Sequence, residues 1–154
     1  LVNEGAAMAK ILIPLPKKFH FTTEMDVRIT DINYAGHLGN DKVLSIIHEA
    51  RMRFFRHHNY SEDNVEGVNT IMNNVAIQYK SQGRYGDKLL IEMAAADFHP
   101  FGFDVIYKIT NKETGKEIAR ATTGIVFFDY AKERMLPVPD KFRQLFESEK
   151  GAQP

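Results

Sequence analysis

Only one stretch of this 154-residue chain repeats its apolar residues at helical spacing over several turns, and period-two stretches flank it on both sides. From Asp41 to His57, the residues Val43, Ile46, Ile47, Ala50 and Phe54 form one stripe, with Lys42, Ser45, Glu49, Met52 and Arg56 opposite. Asn40 is placed to cap this helix and Asp41 to sit in its first turn, while Arg51, Arg53, Arg56, His57 and His58 suit the negative end of its dipole. Phe19, Phe21, Thr23, Met25, Val27 and Ile29 share one face before the helix. After it come Val75, Ile77 and Tyr79, then Leu89, Ile91, Met93 and Ala95, then Phe101, Phe103, Val105, Tyr107 and Ile109, then Ala119, Ala121, Thr123, Ile125 and Phe127. This spacing predicts five strands around one long helix, with a closing helix from about Asp140 to Glu149. The stretches Gln82-Gly83 to Gly86-Asp87, His99-Pro100 and Asn111 to Lys116 read as hairpin turns, so neighbouring strands are expected to be antiparallel. The result is an α+β layer with the helix across one sheet face. An open five-stranded sheet has bare edges, and pairing one with its twin across a two-fold axis would close it.

Composition narrows the chemistry. Lys+Arg and Asp+Glu number 20 each, which leaves no basic face for a phosphate backbone, so no nucleic-acid partner is expected. With no Cys, there are no disulfides, thiolate metal sites or Cys nucleophiles, and a cytoplasmic location is expected. The apolar run Met8 to Leu15 is shorter than the roughly 20 residues of a membrane span and has no secretion-signal pattern, so no membrane association is expected. One domain over 8–150 is expected, with 1–7 an unstructured or non-native extension. No His-Glu-x-x-His spacing or phosphate loop occurs, and Ser45 and Ser81 lack a nucleophile elbow.

The informative segment lies between the first strand and the long helix, from Arg28 to Asn40. Gly36, Gly39, Asp31, Asn33 and a helix start fall within ten residues of one another, a pattern for a loop whose amides converge on a small polar group. Turn-making glycines, an Asx-turn at Asp31 and a polar loop His37 are the plainer reading of the same residues.

The run Asp31-Ile-Asn-Tyr-Ala-Gly-His37-Leu-Gly-Asn40, followed by Val43-Leu44 and His48-Glu49-Ala50-Arg51, resembles the loop and central helix of hotdog-fold acyl-CoA thioesterases of the 4-hydroxybenzoyl-CoA thioesterase-like group. Ile77-Gln-Tyr79-Lys-Ser, Tyr85-Gly86-Asp87-Lys-Leu89, Gly102-Phe103 and the stretch from Phe128-Asp129 to Leu136-Pro137-Val-Pro139 add to the likeness, which covers roughly 19–146. It implies a five-stranded antiparallel sheet wrapped around a long central helix, a homodimer or homotetramer, and an acyl-CoA substrate with no cofactor. Two positions depart from the pattern. Asn33 stands where one branch of the family carries its catalytic Asp, and Gly39 replaces the first of two asparagines.

Thioester hydrolysis needs a carboxylate to activate water or attack the carbonyl, and donors to hold the oxyanion. The candidates are Asp31, Glu49 and His37 for catalysis, with Asn33, Tyr34, Gly36, Gly39 and Asn40 binding the substrate through side chains or main-chain amides. Periodicity alone gives Glu49 a plainer role, paired with Arg53 one turn on. Lys80, Arg84, Lys88 and the His57-His58 pair are mainly surface charge, with a second reading as coenzyme A contacts. Two other functions fit the same residues. One is a hydratase or dehydratase in which His37 moves a proton and Glu49 activates water, and the other is a non-catalytic acyl-CoA or acyl-carrier binding module.

Overall fold

The computed structural model describes residues 10–150, so the extension expected at 1–7 lies outside the described residues. Five long strands, β1 (Phe21–Asp26), β2 (Asn69–Tyr79), β3 (Lys88–His99), β4 (Gly102–Asn111) and β5 (Glu117–Asp129), pair antiparallel in the order β1-β3-β4-β5-β2. A two-residue strand, β6 (Arg134–Met135), pairs with the end of β5. The long helix α1 (Asn40–His57) lies on one face, and α2 (Asp140–Lys150) closes the chain.

The stripe Val43, Ile46, Ile47, Ala50 and Phe54 is buried in full. It packs against the inward residues of β3 to β5, among them Leu89, Ile91, Met93, Phe103, Val105, Tyr107, Ile109, Ala121, Ile125 and Phe127. At 0.8 kcal/mol or so per buried CH₂, this seam is what holds an 18-residue helix in place, since helix propensity alone is marginal at that length. Phe142 and Phe146 of α2 join Phe54, Phe98, Phe103 and Phe127 in an aromatic cluster, with the Phe103 and Phe142 centroids 4.9 Å apart. His58 packs into the same cluster against Phe54 and Phe146, at 5.1 and 5.3 Å, so it is not a solvated helix end.

Several expectations are corrected. Gly39, extended at φ −65 and ψ 140, is the N-cap, and Asn40 is the first helical residue. Ile29 falls in a single 3-10 turn, Ile29–Asp31, and Phe101 in the turn before β4; both are exposed. Residues 80–87 do not form a hairpin. They cross from β2 at one edge of the sheet to β3 beside the other, passing the head of α1, where the Leu38 amide donates to the Gly83 carbonyl at 2.8 Å. A Cβ on Gly83 would stand 3.1 Å from that of Leu38, so glycine permits this close passage. β2 is therefore an edge strand, bulged between Met72 and Asn74, with Met72, Val75 and Tyr79 exposed.

Candidate active site

The loop after β1 is organised by Asp31. Its Oδ2 accepts from the Arg28 amide at 2.8 Å and from Arg28 Nε at 3.3 Å, and its Oδ1 accepts from Arg28 Nη2 at 3.2 Å. Burial pushes this carboxyl up, but the Arg28 hydrogen bonds and the charges of Arg28 and Lys42 outweigh it and hold the group below the usual carboxylate range. Asp31 is thus a lodged, ionised anchor, 2% exposed, beneath an exposed Arg28.

Asn33 builds the next turn. Its Oδ1 accepts from the Ala35 and His37 amides at 3.0 and 3.1 Å, and its own amide donates to the His37 carbonyl at 2.8 Å. Gly36, at φ +78, supplies the left-handed residue this turn requires, and Tyr34 projects fully into solvent. The amides of Gly36, Leu38 and Gly39 donate to the carbonyls of Asn33, Gly83 and Asp31. With the His37 amide also taken, the donors left in this stretch are Asn40 and Asp41, which open α1 and have no carbonyl one turn before them inside the helix.

Glu49 lies elsewhere on the same helix. It lines a cleft of about 860 Å³ between α1 and β1, together with Met25, Asp31, Ser45, Ile46, His48, Met52 and Arg53. Arg28, Glu24, Asp26 and Lys88 form the rest of the lining. The structure therefore brings two of the three expected catalytic residues, Asp31 and Glu49, to one cleft. His37, Asn33, Tyr34, Gly36 and Gly39 do not line it, and Asn40 lines a separate hollow of about 280 Å³ with Tyr79, Lys80 and Gly83. The reason is helix geometry: nine residues at 1.5 Å put Glu49 about 13 Å along the axis from Asn40, too far for both to touch one carbonyl. Of the basic residues considered for coenzyme A, Lys88 borders the Glu49 cleft and Lys80 the hollow at the helix head.

Sequence reasoning gave no site role to Met25, Ile46, His48 or Met52, and set Ser45 aside as a nucleophile. Ser45 and His48 line both the Glu49 cleft and a neighbouring one of about 490 Å³ on the β2 side. Arg51, expected at a solvated helix end, is 4% exposed there. Its Nε donates to Glu62 Oε1 at 2.8 Å and its Nη1 to the Tyr107 hydroxyl at 3.3 Å, which meets Thr123 Oγ1 at 2.9 Å. Spacing could not find this chain, because its members come from four separate elements. Among the described residues, no group of three His, Asp or Glu side chains could hold a metal, and no helix is long and apolar enough to cross a membrane.

The profile of the thioesterase-like superfamily matches residues 27–146, from the end of β1 to the last aromatic of α2. The chain belongs to that superfamily. Its fold is the hotdog arrangement, and solved thioesterase structures superpose on it. The 1,4-dihydroxy-2-naphthoyl-CoA thioesterase from Synechocystis shares 22% identity at a TM-score of 0.77, covering 87% of this chain and 98% of its own. A thioesterase-superfamily protein from Jannaschia shares 16% at 0.77, covering 88% and 86%. A gentisyl-coenzyme A thioesterase shares 16% at 0.70, covering 80% and 99%. At these identities the likeness establishes the fold. No curated protein sequence matches the chain significantly.

Proposed function

We propose that this thioesterase-like protein hydrolyses acyl-CoA thioesters, with Glu49 as the acting carboxylate. The observation that carries this reading is Glu49 itself, a half-exposed carboxylate on rigid helix in a cleft of about 860 Å³. Asp31 has both oxygens engaged by Arg28 and is nearly sealed, so it serves the loop rather than the water. Glu49 takes a proton from water as the oxygen adds to the thioester carbonyl; collapse of the tetrahedral intermediate expels the thiolate and leaves the free acid. An oxyanion needs donors within about 3 Å, and a single lost donor of this kind costs on the order of 10²-fold in rate.

Within one copy the amides of Asn40 and Asp41 are too far from Glu49 to serve. In this reading the site is completed across a homodimer, with the helix head of one copy supplying the donors for the Glu49 of another. The unpaired edge of β2, with exposed Met72, Val75 and Tyr79, supplies the surface for that pairing. The apolar lining of the cleft is confined to Met25, Ile46 and Met52, which favours a compact or polar acyl group over a long chain. Both named CoA thioesterases above act, by name, on hydroxylated aromatic acyl groups, and such a group fits a cleft of mixed polarity.

The test is thiol release from gentisyl-CoA, benzoyl-CoA, hexanoyl-CoA and palmitoyl-CoA, with the absorbance of crotonyl-CoA followed in parallel. Release of free thiol, faster for the compact acyl groups than for palmitoyl-CoA, is expected. Loss of crotonyl absorbance without thiol release would instead assign a hydratase. Binding without turnover would assign a carrier module.

A further inference from the structure

We propose that Arg53 is a positioning residue that presents the Glu49 carboxylate by tying it to strand β1. This inference rests on the assignment of Glu49 above. Arg53 lies one turn beyond Glu49 on α1, and its Nε donates to Glu49 Oε1 at 3.1 Å. That contact alone is an ordinary i, i+4 surface pair, worth about 0.3 to 0.5 kcal/mol in an isolated helix. What sets it apart is the other arm of the guanidinium. Nη1 donates at 2.8 Å to Thr23 Oγ1 and at 2.8 Å to the Glu24 carbonyl, both on β1.

The consequences follow from donor geometry. A guanidinium is planar, so two bonds to β1 fix its plane and thereby fix the direction of Nε–H. Glu49 Oε1 is then held by a group already immobilised on the opposite wall of the cleft, and Oε2 takes no hydrogen bond among the described residues. The side-chain entropy that normally cancels a surface ion pair has already been spent on the β1 contacts. Thr23 does this from outside the cleft lining, with its side chain on the inward face of β1 next to Phe21 and Met25. A lysine at 53 would keep the charge but could not span Thr23, Glu24 and Glu49 at once.

Titratable and charged groups face Glu49 from every wall: His48 and Arg53 on its own helix, Glu24 and Asp26 on β1, Arg28 and Asp31 in the following loop, and Lys88 on β3. Of these, only Arg53 touches the Glu49 carboxylate within hydrogen-bond distance. Loss of the β1 anchor should therefore misplace the carboxylate and lower kcat without weakening substrate binding.

The experiment measures kcat and KM for the wild type, Arg53→Lys, Thr23→Val and Glu49→Gln, on benzoyl-CoA and gentisyl-CoA. Arg53→Lys is expected to lower kcat about tenfold with KM within about threefold, as misplacement of a reacting group does. Thr23→Val should lower kcat by less, about threefold, with KM again little changed. Unchanged kcat in both variants, beside an inactive Glu49→Gln, would overturn the role of Arg53 and leave Glu49 standing. A change in KM alone would also overturn it, since that marks a substrate contact. Full activity in Glu49→Gln, or a wild type silent on both thioesters, would remove the reading of the cleft and this inference with it.

Discussion

Asn33 and Asp31 have separate tasks in the loop between β1 and α1. The side-chain oxygen of Asn33 accepts two amides and shapes the turn, a task for which an amide oxygen serves as well as a carboxylate. Asp31 keeps the charge but is held by Arg28 on both oxygens. Asp31→Asn should therefore cost about 1 to 3 kcal/mol of stability, read by urea unfolding at neutral pH. The pH sign follows from its lowered pKa. The contribution of Asp31 is fully present above the ordinary carboxylate range near pH 4 and is lost as pH falls through the depressed folded value, so the deficit of Asp31→Asn should shrink in acid. The pairing of Glu49 with Arg53 was legible from their spacing of four, whereas Asp31 and Glu49 were candidates only through the family resemblance. The grip of Arg28 on Asp31 and of β1 on Arg53 was not legible, because rotamers decide both. The buried chain through Arg51 is a further case. Tyr107→Phe keeps the ring but strips the hydroxyl from Arg51 and Thr123, and should cost about 1 to 3 kcal/mol in the same unfolding measurement.

At the scale of elements, α1 and the three central strands were readable because each buries one face throughout, so periodicity survives intact. β2 was readable only in its second half. Its first half, Asn69 to Asn74, sets the adjacent Ile71 and Met72 among polar residues, lies at the sheet edge and carries a bulge, so no period-two alternation marks it as strand. The 80–87 connection misled for a related reason: a turn-rich segment between two strands looks the same whether it joins neighbours or crosses past a helix end. The hairpins at either end of β4 were read correctly. The first of them depends on Gly102, where an added Cβ would collide with the Ile125 carbonyl oxygen on the neighbouring strand. Since backbone cannot yield as a side-chain tip does, Gly102→Ala should destabilise the fold by about 1 to 3 kcal/mol or more, again measured by denaturant midpoint.

For the whole molecule, Glu49 and the amides at the helix head, expected to meet at one site, lie about 13 Å apart along α1 within one copy. Summing the rise per residue from Asn40 to Glu49 would have revealed that separation from sequence; in the proposed dimer, the exposed edge strand β2 is the surface that closes the gap. A homodimer or larger assembly is expected by light scattering, and Val75→Lys, which puts a charge on that exposed edge strand, should shift it toward monomer and lower turnover together. Loss of assembly with turnover intact would place the whole reaction within one copy. The most direct measurement of the account is the kcat of Glu49→Gln on the fastest CoA thioester, with circular dichroism and light scattering matched to the wild type. A fall of at least about 10²-fold with KM little changed is predicted. A kcat equal to that of the wild type would contradict it.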